Sequence, residues 1–286
     1  MIFARVPKHL AKAVASMSPE MRKHRYLTAA GFVIAQYLRK NFAAQRLQNF
    51  LEAYRDPSGG MSYQYSTSVT MMGETIFLLR RSPGFTEFCR RLKSRDLRAA
   101  FLEALAARLF MQGGCIIHAR PESMNKGEDF DFSVVRGGEE INVEVTSLTS
   151  PVFAESTLVN TLARKKGQLP SDKPAIIVCM YPAAWFADDP TAALYVVANR
   201  FFGKSRRINA IVFLAEHWLS DEALLNGGLI VSRQEFFNGN PRHPADLTFL
   251  RQELPPVPTS VEQLLINAVP VQQESEFYRW VDACLA

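Results

Sequence analysis

At 286 residues with 48% hydrophobic composition, the chain is long enough to bury a full core as one large domain or two modest ones, which excludes a peptide or a disordered tail. Its most apolar early stretch, Ala29 to Leu38, is about half of what a membrane-spanning helix requires, and Lys8 and Lys12 interrupt any signal-peptide core, so a cytoplasmic protein without a membrane partner is expected. The net charge of +5 hides an asymmetry, because residues 1–98 hold 17 Lys and Arg against 6 Asp and Glu, a balance of +11, leaving 16 against 22, or −6, for the rest.

The first ninety or so residues read as a basic, mainly helical region, taken as 1–96. Ser18-Pro19-Glu20 has the form of a cap followed by proline, and the run to Phe50 keeps helical apolar spacing. Asp56 to Gly60 reads as a loop, and Tyr63 to Val69 is polar and β-leaning. A basic segment beside an acidic module suits a protein in which one part neutralises phosphates while the other collects metal ions, so nucleic acid is the expected partner. Tyr26, Phe32, Tyr37, Phe42, Phe50 and Tyr54 are interleaved with the arginines and serve either bases or a core. A solvated helical surface is the alternative. Cys89, Cys115, Cys179 and Cys284 are widely spaced with no CxxC pair, which suggests buried thiols rather than a zinc or disulfide framework.

From Leu97 helix and strand alternate, giving a core assigned to 97–230. A helix from about Leu97 to Met111 stops at Gly113-Gly114, and Cys115 to Ala119 is a short apolar strand. Asp129 to Val135 and Glu140 to Leu148 form a hairpin around Arg136-Gly137-Gly138. A helix from about Phe153 to Leu169 precedes the apolar strand Ala175 to Met180. Asp189-Pro190 caps another helix ending at Gly203, and Ile208 to Leu214 is a buried strand. This α-β-β-β-α-β-α-β order implies an α/β fold, a mixed sheet with helices on both faces. After Gly228 the pattern weakens into a Pro-containing extension, 231–286, with helices near Ser260 to Ala268 and Ser275 to Leu285.

The hairpin carries the chemistry. A two-residue turn on Gly137-Gly138 pairs Arg136 with Glu139, and counting outward brings Asp131 opposite Glu144. Alternation then puts Asp129, Asp131, Ser133, Asn142, Glu144 and Thr146 on one face, with Phe130, Phe132, Val134, Ile141, Val143 and Val145 on the other. Opposed carboxylates resist pairing unless a cation lies between them or the face is wet. With helices and strand ends forming a cleft beyond the hairpin, Asp131 and Glu144 are the candidate ligands of Mg²⁺ or Mn²⁺, which would orient water against a phosphodiester.

Asp131, the hairpin, and Glu144-Val145-Thr146 thirteen residues on, within the surrounding α-β-β-β-α-β order, resemble the PD-(D/E)XK nuclease superfamily. The likeness spans about residues 97 to 215 and includes a short-hairpin layout similar to archaeal Holliday junction resolvases. It implies a restriction-endonuclease-like core, metal-dependent cleavage of nucleic acid, DNA foremost, and a homodimer where two strands are cut. It also implies a metal-site role for Glu103, on the helix before the sheet. Where that family has lysine two residues after the second acid, this chain has Thr146, which cannot supply a cationic amine. On the following helix Leu158, Val159, Leu162 and Leu169 mark the sheet-facing stripe, and Lys166 falls between Leu162 and Leu169. Lys166 is therefore the expected replacement, with Lys165 next. His118, near the end of its strand, is within reach of the cleft, but a satisfied core histidine is the commoner role at such a position. Two functional readings follow: a nuclease using Glu103, Asp131, Glu144 and Lys166, or a catalytically inactive member of the fold that binds nucleic acid or serves in assembly.

Overall fold

A computed structural model describes residues 6–39, 63–121, 127–150, 152–186, 189–219, 228–252 and 275–286. Among the described residues six helices come first: α1 (Lys8–Ala15), α2 (Pro19–Lys23), α3 (Arg25–Leu38), α4 (Tyr63–Leu79), α5 (Phe85–Ser94) and α6 (Leu97–Gln112). The expected start at Ser18 is present, its hydroxyl accepting from the Met21 N–H at 3.3 Å. Asp96 caps α6 in the same way, accepting from the Ala99 N–H at 2.9 Å. Tyr63 to Val69, β-leaning in sequence, belongs to helix α4, where Val69, Met72, Ile76 and Leu79 are buried at helical spacing. Tertiary burial decides that segment over its local propensity.

Strands β1 (Ile116–Ala119), β2 (Phe132–Arg136) and β3 (Glu139–Ser147) follow, then helix α7 (Glu155–Lys166), β4 (Ala175–Met180), helix α8 (Thr191–Phe202), β5 (Ala210–Leu219) and β6 (Gly228–Phe237). They form a six-stranded mixed sheet in sequence order, in which β1, β2 and β3 are antiparallel, β3, β4 and β5 parallel, and β6 returns antiparallel to β5. The two parallel links are the crossovers that need helices, here α7 and α8. The hairpin register is the one its turn predicts, Arg136 pairing with Glu139, because Gly137 and Gly138 adopt φ values of +60° and +86° that a tight primed turn demands.

Strand β6 has no counterpart in the sequence reading, and position 230 falls inside it. Its polar centre, Ser232-Arg233-Gln234-Glu235, hides the alternation that marks a strand. Short helices α9 (Thr248–Gln252) and α10 (Glu276–Leu285) complete the description. The helix expected near Ser260 to Ala268 lies outside the described residues, as do Phe42, Phe50 and Tyr54.

Three cores hold the fold. One face of the sheet packs Val134, Val143, Ile176 and Val212 against Leu102, Leu105 and Phe110 of α6. The other packs Ile177, Cys179, Ile211 and Phe213 against Leu158 and Leu162 of α7 and Leu194 and Phe201 of α8. A third joins the N-terminal helices to Phe277, Tyr278 and Val281 of α10, with Tyr26, Phe32 and Tyr37 packed on it. Helix α6 is shared, since its Leu97, Ala100 and Phe101 belong to the helical core. An alanine-rich helix can be enclosed on all sides in this way because it keeps its neighbours close. No described helix is long and apolar enough to cross a membrane.

Candidate functional site

The site forms where the hairpin ladder stops. The last β2–β3 pair is Phe132 with Val143, yet β3 runs on to Ser147. Asp131, expected inside strand β2, lies just before it, and its Oδ2 accepts a hydrogen bond from the Val145 N–H at 2.8 Å. The carboxylate thus takes the place of the next strand's backbone carbonyl, satisfying an edge donor that would otherwise be buried alone. From this edge position Asp131 meets side chains from both sides of the sheet: Glu144 beside helix α7, and Glu103 from helix α6.

These residues line one polar cleft of about 300 Å³. Ala99, Leu102 and Glu103 of α6 form one wall, Glu144 to Ser147 the strand end, Arg164, Lys165 and Gln168 the opposite wall, and Arg95 with Asp129 to Asp131 the remainder. Glu103, Asp131 and Glu144 are 6%, 7% and 1% exposed, so all three carboxyls sit deep. Burial pushes each up to about 7, reinforced at Glu103 by the nearby Asp131 charge and at Asp131 by Glu144. For Glu144 burial outweighs the lysine that contacts it. His118 stands opposite Ser133 in the β1–β2 ladder and does not line the cleft.

The lysine is Lys165, not Lys166. Lys165 Nζ donates to Glu144 Oε1 at 2.5 Å, whereas Lys166 Nζ lies 6.0 Å over the Phe201 ring of α8. The reason is angular. Leu158, Leu162 and Leu169 are fully buried, and Lys165, seven residues after Leu158 and four before Leu169, continues that row. Lys166 instead shares the side of Val159, and its amine reaches the Phe201 ring of the neighbouring helix. Thr146 also lines the cleft, 7% exposed, so Lys165 brings an amine near the carboxylate beside which the sequence lacks one.

Two arginines of the N-terminal region complete the cluster, and sequence reasoning missed both. Gly84, at φ +76°, lets the chain turn into α5 so close to β1 that a side chain there would meet the Ala119 carbonyl at 2.6 Å. That docking, with Ala119 N–H donating to the Pro83 carbonyl at 3.1 Å, aims α5 at the strand end. Arg91, whose side chain is 1% exposed, donates to Glu87 Oε1 at 3.1 Å, Glu103 Oε2 at 3.0 Å and the Asp131 carbonyl at 2.9 Å, and also to the Arg120 carbonyl. Arg95, 31% exposed, donates to Glu103 Oε1 at 2.7 Å. Arg91 also donates a long hydrogen bond to Asp131 Oδ1 at 3.5 Å, and Arg95 forms an ion pair with the same oxygen at 3.7 Å.

Among the described residues no three His, Cys, Asp or Glu side chains are grouped to hold a metal by themselves. Glu144 Oε2 is buried without a hydrogen-bond partner, and Asp131 Oδ1 has only the long contacts to Arg91 and Arg95 at 3.5 and 3.7 Å. A hydrated Mg²⁺ or Mn²⁺, which keeps several waters and takes one or two carboxylates, fits that donor set. The basic excess of residues 1–98 is partly consumed internally. Arg25 pairs with Asp282, Arg80 and Arg81 with Glu276, Arg90 with Glu87, and Arg91 and Arg95 with Glu103. Lys8, Lys12, Arg22 and Lys23 stay exposed on α1 and α2. No protein-family model matches the chain, and no curated protein matches it.

Proposed function

We propose that the chain is a metal-dependent nuclease with a restriction-endonuclease-like core, hydrolysing phosphodiester bonds of nucleic acid, DNA foremost. The observation that carries this reading is Glu144: nearly fully buried, held by the Lys165 ammonium through one oxygen, and left with the other oxygen unpartnered in a polar cleft beside Asp131. An unpaired buried carboxylate oxygen is costly in a folded protein, and a cation from solvent relieves that cost. Asp131 and Glu144 would hold the divalent ion, which supplies Lewis acidity and an activated water when bound. Lys165 fixes the Glu144 carboxylate and brings a positive charge to where negative charge develops on the phosphoryl oxygens. Arg91 positions Asp131 through its carbonyl and Glu103 through its carboxylate. Exposed Lys8, Lys12, Arg22 and Lys23 would neutralise substrate phosphates.

The test is cleavage of plasmid, linear duplex and single-stranded substrates with Mg²⁺ and with Mn²⁺. Wild type should cut, Glu144→Ala should not, and Lys165→Ala should be strongly impaired while still binding substrate. A second reading is favoured by Arg91 and Arg95, which bring cationic side chains to Glu103 and Asp131: a metal-free, inactive module that binds nucleic acid or serves in assembly. Salt-sensitive nucleic-acid binding with no cleavage under either metal would establish it in place of the enzyme.

A further inference from the structure

Three connections meet at one end of the sheet. Parallel strands β4 and β5 start there side by side, Ile176 opposite Ala210, and antiparallel β6 finishes there, with Phe237 opposite Ala210. The chain entering β4 (164–174), the chain entering β5 (203–209) and the chain leaving β6 (238–243) are therefore neighbours by topology. Asn209 stitches them together: its Oδ1 accepts from the Ala175 N–H at 3.0 Å and its Nδ2 donates to the His243 carbonyl at 2.6 Å. The Arg242 N–H donates to the Arg206 carbonyl at 2.6 Å, and the Arg207 guanidinium to the Leu169 carbonyl.

The charge at this end runs against the rest of the α/β region. Residues 99–286 hold 16 Lys and Arg against 22 Asp and Glu, yet these three segments carry 8 of the 16 and, in Asp172, only 1 of the 22, a local balance of +7. Basic residues at the C-terminal ends of α7 and α8 complement the helix dipoles, which accounts for Arg164, Lys165, Lys166 and Lys204. It does not account for Arg206 or Arg242, which lie outside any helix. Lys165 and Lys173 are paired with Glu144 and Glu140. Arg164, Lys204, Arg206 and Arg242 are exposed, and no carboxylate among the described residues pairs with them. Like charges gathered without counter-charges repel one another and attract a polyanion. The surface is also continuous with the cleft, because Arg164, Lys165 and Gln168 form the cleft wall and Leu169 follows directly. The basic helices α1 and α2 instead pack on α3, with α1 also against α10, in the helical core.

We infer that the phosphodiester backbone of nucleic acid reaches the cleft across this strand-start surface, with Arg164, Lys204, Arg206 and Arg242 on its phosphates. Where the backbone goes next rests on the nuclease reading of the cleft; that it binds here rests on the surface alone.

The experiment is fluorescence anisotropy of the full chain with a short labelled duplex and with its single strand, in EDTA and over a range of NaCl. The combined variant Lys204→Gln, Arg206→Gln, Arg242→Gln is compared with Lys8→Gln, Lys12→Gln, Lys23→Gln, which removes the same charge from α1 and α2. Glutamine keeps an amide donor for the hydrogen bonds that Arg206 makes with Asn240. The double variant Lys204→Gln, Arg242→Gln leaves those bonds untouched and should show the same loss in smaller measure. The strand-start triple should bind about ten- to a hundredfold more weakly, and the slope of log affinity against log salt should fall by about 2 to 3, the counterion release of three phosphate contacts. The α1 and α2 triple should lose less than about threefold. With Mg²⁺ present, the strand-start triple should cleave with a raised KM and a kcat near wild type. Equal losses in the two triples, or a loss confined to the α1 and α2 triple, overturns the inference, as does a wild type that binds anionic lipid vesicles but no oligonucleotide. A loss selective for the strand-start variants, in a wild type that cleaves with neither Mg²⁺ nor Mn²⁺, sustains the surface and removes the nuclease reading. Cleavage by wild type with unchanged affinity in the strand-start triple and double does the reverse.

Discussion

Glu140 and Glu144 lie on the same strand, two pleat repeats apart on the same face, and the protein treats their carboxyls in opposite ways. Near the turn, Glu140 is half-exposed and met by Lys173 at 2.8 Å, by the Ser133 hydroxyl at 2.8 Å and by Arg120, which hold its carboxyl down at about 2. At the open end, Glu144 has a lysine at 2.5 Å as well, yet burial carries it up to about 7. The contact is similar; the hydration is not. A surface ion pair keeps water around the charge it neutralises, while a buried one must replace that water completely, and Glu144 Oε2 is the part left unreplaced.

The two ends should therefore fail differently. The largest effect is expected from Arg91→Met, which leaves Glu103 and the Asp131 carbonyl without their buried donor and should cost about 3–5 kcal/mol in urea unfolding. Arg120→Met, which removes one cationic partner of Glu140, should cost under about 1 kcal/mol, because exposed pairs contribute little. Equal losses at both sites would erase the distinction. Next comes Lys165→Ala, which should lower the cleavage rate about a hundred- to a thousandfold at saturating metal. Lys166→Ala, its side chain turned to Phe201, should leave that rate near wild type, and the reverse ranking in a rate assay would restore the other lysine.

A smaller contrast lies in pH. The cleft carboxyls are raised in the folded chain, so between about pH 4 and 7 the unfolded chain loses protons that the folded one keeps, and metal-free stability should fall as pH rises through that window. Glu140 is depressed, so its contribution is present above its ordinary carboxylate range and fades as pH falls from about 4.5 toward 2. Melting temperatures of Glu144→Gln across pH 4 to 8 should show a shallower decline than wild type, and Mg²⁺ should flatten the wild-type curve. The smallest effect is expected from Glu140→Gln, whose deficit should appear near neutral pH and vanish around pH 2 to 3.

The hairpin was legible in sequence because its register depends on two glycines and a period of two, both local. From it came the neighbourhood of Asp131 and Glu144, while Glu103, which lines the same cleft, was suggested only by the resemblance to the nuclease superfamily. The choice between Lys165 and Lys166 was also present in the spacing of Leu158, Leu162 and Leu169, but only if the stripe is centred on the fully buried leucines and Val159 is left out. Arg91 could not be found that way. Its role depends on how α5 docks through Gly84 against β1, a contact between distant segments that no local pattern encodes. Strand β6 was hidden by a polar centre, and the basic excess of the first third looked like surface although several of its arginines are spent on internal carboxylates.

Asp131 does two jobs with two oxygens. Oδ2 closes the strand end by accepting from Val145, and Oδ1 meets the Arg91 and Arg95 guanidinium groups at 3.5 and 3.7 Å. Selection for folding alone would therefore retain this residue after any loss of chemistry, since removing it strands a backbone N–H in the interior. Glu144 has no such second duty among its hydrogen bonds: one oxygen meets Lys165 and the other meets nothing. In a descendant released from catalysis, Glu144 and Lys165 would drift together to a neutral pair while Asp131 stayed. The aspartate is thus the poorer witness to activity in this fold, and the glutamate with its lysine the better one.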